Sequence, residues 1–205
     1  MKRRDFLLTS STGLALVASG AAAEDMAKPM DGMPMSPMDW TDQNGLTRYL
    51  KTDTAPLENE FEKYPRCPYC GMMRQMFSQT RHLIVYDNDT VDGTCSLHCA
   101  AISLALNMDA GPKTIYAGDA GVSAKVKPLA VVDDMTYVID TKKPGTMTGT
   151  SKYAYADPAK ADAAAKDGGK LASFDEALVM AYADMARDTI NIRKRRAERR
   201  ARAGQ

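Results

Sequence analysis

Four cysteines carry the most legible chemistry in this chain. They fall in two pairs, Cys67-Pro68-Tyr69-Cys70-Gly71 and Cys95-Ser96-Leu97-His98-Cys99, with twenty-four residues between Cys70 and Cys95. Cys-x-x-Cys followed by glycine is the pattern of a metal knuckle, in which a tight turn aims backbone amides at the thiolates and Gly71 can supply a positive φ. Cys95 and Cys99 are four apart. At the start of a helix they would share a face, and the N-terminal field of that helix would lower their thiol pKa. Met72, Met73 and Met76 follow the first pair, and His98 sits inside the second. Thiolate, thioether and imidazole in so short a stretch suit a soft metal ion, Cu(I) foremost. The same spacing also serves a closed four-cysteine zinc site that only holds the fold, or two disulfides. A redox-active Cys-Pro-Tyr-Cys is a further reading, but it needs a strand before the pair and a helix after it, and residues 58–66 carry no strand pattern. Two histidines leave no Ser-His-Asp set, phosphate-binding glycine motifs are absent, and Asp87/Asp89 and Asp133-Asp134 read as turn chemistry. The expectation is a metal-binding protein that is not an enzyme.

Composition bounds the rest. In 205 residues, 44% are hydrophobic and 26% charged, enough for one core, and 27 basic against 26 acidic side chains give a net charge of +1. That balance argues against a nucleic-acid binder. Fourteen Met and four Cys beside two His make sulfur the abundant soft ligand. The chain opens Met1-Lys2-Arg3-Arg4-Asp5-Phe6-Leu7-Leu8, continues mildly apolar, and reaches Ala21-Ala22-Ala23. This is the pattern of a twin-arginine export signal cleaved after Ala23, which predicts a periplasmic protein. No cysteine follows the cleavage region, so no lipid anchor is expected there.

Residues 24–60 read as a flexible arm. Met26, Met30, Met33, Met35 and Met38 alternate with Pro29, Pro34 and Pro37, which deny a helix or a ladder, so these methionines are not core residues. Their thioethers suit Cu(I). The folded, metal-binding part is expected over residues 61–176. Residues 82–86 (HLIVY) and 91–94 form a hairpin across Asp87-Asn88-Asp89, a helix covers 95–108, and a strand covers 113–117. The pattern repeats with strands at 136–140 and 152–156, a helix at 157–166 and a strand at 171–174. Two β-β-α-β units define an α+β fold. Ser173-Phe174-Asp175-Glu176 is a capping box that opens a long C-terminal helix, continuing through residues 177–205. Its end carries Arg193, Lys194, Arg195, Arg196, Arg199, Arg200 and Arg202 against Glu198, a run suited to an anionic membrane surface or an acidic partner.

With these residues in view, the chain resembles the NosL family. The resemblance covers roughly residues 64–176 and rests on three stretches. These are Cys70-Gly71-Met72, the run 135–140 followed by Pro144-Gly145-Thr146-Met147, and Lys152-Tyr153-Ala154-Tyr155 leading through a helix to Gly168-Gly169-Lys170. It implies a pair of β-β-α-β-like units related to the fold of the organomercurial lyase, and a periplasmic copper-binding accessory protein linked to nitrous-oxide reductase assembly. Met147 corresponds to a family ligand position and Met72 lies in the shared Cys-Gly-Met motif. Many members carry a lipidated cysteine at the mature N-terminus, which this chain lacks. The Cys95/Cys99 pair, the Met-rich arm and the basic tail are not general family features. The expected function is therefore that of an exported Cu(I) metallochaperone delivering copper to a periplasmic cuproenzyme such as nitrous-oxide reductase. The ion would be held by Cys67, Cys70, Cys95 and Cys99, or by a subset with Met72, His98 and Met147. The alternatives are a structural zinc site in a binding module and a thiol-disulfide redox protein.

Overall fold

The computed structural model describes residues 50–204. The export signal and the arm methionines of the sequence reading lie outside the described residues. In chain order the elements are β1 (Lys51–Thr52), α1 (Glu60–Lys63), β2 (His82–Tyr86), β3 (Thr90–Thr94), α2 (Leu97–Leu106), β4 (Pro112–Gly118) and β5 (Leu129–Val131). A 3-10 turn (Val132–Asp134) leads to β6 (Thr136–Asp140), β7 (Ser151–Tyr155), α3 (Pro158–Ala165), β8 (Lys170–Ala172) and α4 (Phe174–Ala203). The fold is α+β. One sheet has the order β1-β3-β2-β4-β5 and the other β7-β6-β8, with every named pair antiparallel.

The two β-β-α-β units wind identically. In each, the first strand lies between its hairpin partner and the strand that follows the helix: β2 between β3 and β4, and β6 between β7 and β8. Local chemistry fixes the corners. Asp89 takes φ 58 in the first hairpin, a conformation Asp tolerates. Ser96 caps α2, accepting from the Cys99 amide, and Asp157 caps α3 with Pro158 in its first turn. The Ser173/Glu176 box closes reciprocally at the start of α4.

Strand β2 is apolar on both faces because both are covered. Ile84 and Tyr86 face the main core, while Leu83 and Val85 pack with Val91 and Tyr64. The main core joins the units: Ile115 and Ala117 from the first and Tyr137, Ile139, Ala154 and Ala172 from the second meet beneath Ala100, Ala101, Ala177 and Ala181 of α2 and α4. Alanines at the helix crossing let the two backbones approach, and Tyr182 donates to the Ala101 carbonyl at 2.9 Å. A parallel bridge between Asp119 and Ala154 ties the sheets at their edges.

Two boundaries differ from the sequence reading. The body begins before Phe61: β1 pairs with β3, and the buried Glu60 carboxylate receives Arg74 Nη2 and Arg81 Nε, each at 2.8 Å. These ion-pair partners lie fourteen and twenty-one residues away, so local composition does not reveal them. Helix α2 starts at Leu97, because Ser96 is its cap and Cys95 is left outside. Helix α4 runs from Phe174 behind the capping box, as the sequence predicts, and its first turns belong to the core.

Candidate metal centre

The first cysteine pair sits in a hairpin-like turn. Arg66 bridges Met73, the Cys67 amide donates to the Met72 carbonyl at 2.9 Å, and the Gly71 amide donates to the Cys67 carbonyl at 2.9 Å. Gly71 takes φ 76, the left-handed conformation anticipated for a knuckle. Arg74 clamps the turn from below. Fully buried, it donates to the carbonyls of Tyr64, His82 and Thr94 as well as to Glu60. Within the knuckle, Tyr69 donates to Asp92 Oδ2 at 2.6 Å, and Ser103 of α2 donates to the same oxygen at 2.6 Å. A buried polar chain thus pins the first pair to β3 and α2, the elements that flank the second. Burial raises the Asp92 pKa, and the Ser103 and Tyr69 hydroxyls oppose that shift.

The second pair straddles the cap of α2. Cys95 follows β3, and Thr80 Oγ1 donates to its carbonyl at 2.8 Å. Cys99 lies in the first turn, its amide facing Ser96 Oγ.

The four Sγ atoms converge, all within 4.8 Å of one another. Cys70 and Cys95 are 3.3 Å apart, and Cys99 is 3.8 Å from each of them. A regular tetrahedron of sulfurs about a metal at ~2.3 Å has edges of about 3.8 Å. The donor set therefore fits a thiophilic ion with little movement. Cys67, Cys95 and Cys99 are buried and Cys70 is half-buried, so one edge of the cluster faces solvent.

Electrostatics divide the four. The crowding of the Cys95 and Cys99 thiols, with the amides of Cys95 and Tyr69, pushes the Cys67 pKa below the ordinary thiol range, against the effect of burial. Cys95 and Cys99 move the other way, above the ordinary thiol range, because the neighbouring Cys67 sulfur and burial disfavour further thiolates beside it. This corrects the expectation that a helix N-terminus would acidify the second pair. Cys95 is outside the helix, ahead of the Ser96 cap, and Cys99 shares its buried site with the other sulfurs.

The other expected ligands are placed differently. Met72 packs against the cluster with Tyr69 and Phe77. His98 is half-buried in a crevice with Thr80, Thr146, Thr148 and Lys152, its pKa lowered by burial, and its Nδ1 has no hydrogen-bond partner. The group of mutually close ligand atoms stops at the four cysteines and does not take in His98. Met147 takes φ 65 in the long loop after β6 and is half-exposed. Its neighbour Thr146 meets Thr80 Oγ1 at 3.0 Å, so the loop of the second unit is fastened to the threonine that holds Cys95. Thr80, Asp92 and Ser103 support the site without being legible from sequence. The one hint is Asp92, an acid in a strand otherwise buried.

A four-cysteine centre mounted on a hairpin and a capped helix of a twofold-repeated α+β body defines a metal-binding protein built on a β-β-α-β pair. The family comparison specifies it further: the NosL family model matches residues 58–179, more than half of the chain, and the protein belongs to the NosL family. Among solved structures it is similar to the crystal structure of the copper chaperone NosL from Shewanella denitrificans. The identity is 24%, over 54% of this chain and 87% of that one, with a TM-score of 0.45. No curated protein matches the chain.

Proposed function

We propose that this NosL-family protein is an exported Cu(I)-binding accessory protein that takes up copper at Cys67, Cys70, Cys95 and Cys99 and delivers it to a periplasmic cuproenzyme such as nitrous-oxide reductase. The observation that carries the reading is the convergence of four sulfurs with three buried and one, Cys70, open to solvent. A carrier needs soft donors close enough to hold the ion, and an accessible sulfur at which an incoming ligand can begin exchange. The sequence of residues 1–23 is the basis for the periplasmic assignment. Anaerobic Cu(I) titration of the mature protein against a competing chelator tests the proposal. Stoichiometric binding that a Cys67/Cys70/Cys95/Cys99→Ser quadruple variant loses is the expected result. Equal binding by both proteins ends the idea.

A structural zinc site is the second reading, favoured by sulfur separations near those of a closed tetrahedron. Metal analysis of protein purified under reducing conditions distinguishes the two. Stoichiometric zinc that Cu(I) does not displace supports zinc; exchange to copper supports transport.

A further inference from the structure

Shortly after the first cysteine pair in the chain, two thioethers face solvent where burial would be the ordinary fate of an apolar side chain. Met73 is 40% exposed and Met76 is 71% exposed. They close one turn, the Met76 amide donating to the Met73 carbonyl at 3.2 Å. That turn is anchored at several points. Arg74, between them, is fully buried and makes four hydrogen bonds, Met73 bridges Arg66 across the knuckle, and Phe77 packs onto the cysteines. Rigid backbone thus presents mobile, polarizable sulfur at the surface, three and six residues from Cys70, the only cysteine of the four with solvent access.

We infer that Met73 and Met76 form an entry and exit step for a soft monovalent cation, receiving it from outside and exchanging it with the Cys70 thiolate. This rests on the copper reading and adds a route to it. Thioethers bind Cu(I) weakly and exchange fast, whereas thiolates bind it tightly, so sulfur of the first kind outside sulfur of the second makes a downhill relay. In the step, a thioether–copper bond breaks as a Cys70 sulfur–copper bond forms. Any thiol proton displaced leaves to water, and the metal stays monovalent. Met72, packed against the cluster, lies between the two sets in sequence.

The test follows Cu(I) transfer from a chromophoric Cu(I) chelate to the mature protein by anaerobic stopped flow. It compares wild type with the Met73→Leu/Met76→Leu double variant and with Met76→Leu alone. Leucine keeps the volume and removes the sulfur, and at exposed positions it leaves the fold intact. Met108→Leu, at an exposed methionine beyond the far end of α2, is the control. The expected result is a transfer rate about tenfold lower in the double variant, with equilibrium affinity within about twofold of wild type and the control unchanged. A wild-type rate in the double variant overturns the relay and leaves the copper reading standing. Failure of wild type itself to take up Cu(I) overturns the copper reading, and the relay with it.

Discussion

Metal uptake at this cluster is a proton exchange as much as a binding event. Crowding of the sulfurs pushes the Cys67 pKa below the ordinary thiol range and those of Cys95 and Cys99 above it. Ligation requires thiolates, so loading all four sulfurs expels whatever thiol protons the cluster holds, those of Cys95 and Cys99 among them, and apparent affinity rises with pH. Calorimetry in two buffers of different ionisation enthalpy should report that release; an affinity flat across neutral pH would contradict it. A second titration belongs to the fold. His82 is buried, its Nδ1 2.9 Å from the Thr80 carbonyl and its Nε2 2.9 Å from the Tyr137 hydroxyl. Nδ1–H donates to the carbonyl and Nε2 accepts from the phenol, an arrangement complete only in the neutral ring. Burial first, opposed by the Thr80 bond and reinforced by Arg74 and Arg81, pushes its pKa down to about 4. Because the unfolded histidine takes its proton near pH 6.5, the unfolded state binds more protons between there and about pH 4, and stability falls as pH drops through that window. The loss amounts to about 3 kcal/mol. Denaturant unfolding of wild type and His82→Gln across this range checks it: the slope should be present in the first and missing from the second.

Elements separate into those that build the body and one that leaves it. Helix α4 is anchored where Asp184 receives Lys152 Nζ, Thr148 Oγ1 at 3.1 Å and Arg187 Nη1 at 2.8 Å. Asp184→Ala strands the buried Lys152 ammonium without its partner, at a cost of about 3–5 kcal/mol that thermal denaturation should show. Beyond Asp188 every described residue of α4 is exposed. A chain ending at Asp188 should therefore melt at the wild-type temperature and bind metal equally well. A drop in either would mean that the basic end is part of the fold. None of the helices among the described residues is long and apolar enough to cross a membrane. Most elements were legible because local rules agree with the fold. The β-branched run of β2, the Asp-rich turn after it, the Asp157-Pro158 start of α3 and the Ser173/Glu176 box each announce themselves. Helix α2 begins two residues later than the sequence pattern predicts, because Ser96 is its cap and Cys95 lies between the end of β3 and that cap.

At the scale of the molecule, the two units share one core and neither closes without the other. Tyr137 and Phe174, with ring centroids 5.9 Å apart, lie in the same cluster as Ile84 and Tyr86. A chain cut at Asp134 loses the second half of that cluster, together with α4. It should show no cooperative unfolding transition by circular dichroism; a sharp transition would prove the first unit autonomous. The site was legible as far as its sulfurs, since Cys-x-x-Cys-Gly and Cys-x-x-x-Cys name their ligands by spacing. The contacts that bring the pairs together, Tyr69 to Asp92 to Ser103 and Thr80 to Cys95, join residues distant in sequence and emerge only from packing. Superposing the windings by their helix caps, Ser96 on Asp157, sets Ala156 where the first unit has Cys95 and Lys160 where it has Cys99. The same winding thus carries a cysteine pair at this corner in one unit and is blank in the other. The strand-to-capped-helix corner is a socket whose contents can be exchanged, and the blank copy is the natural place to engineer a second thiolate pair.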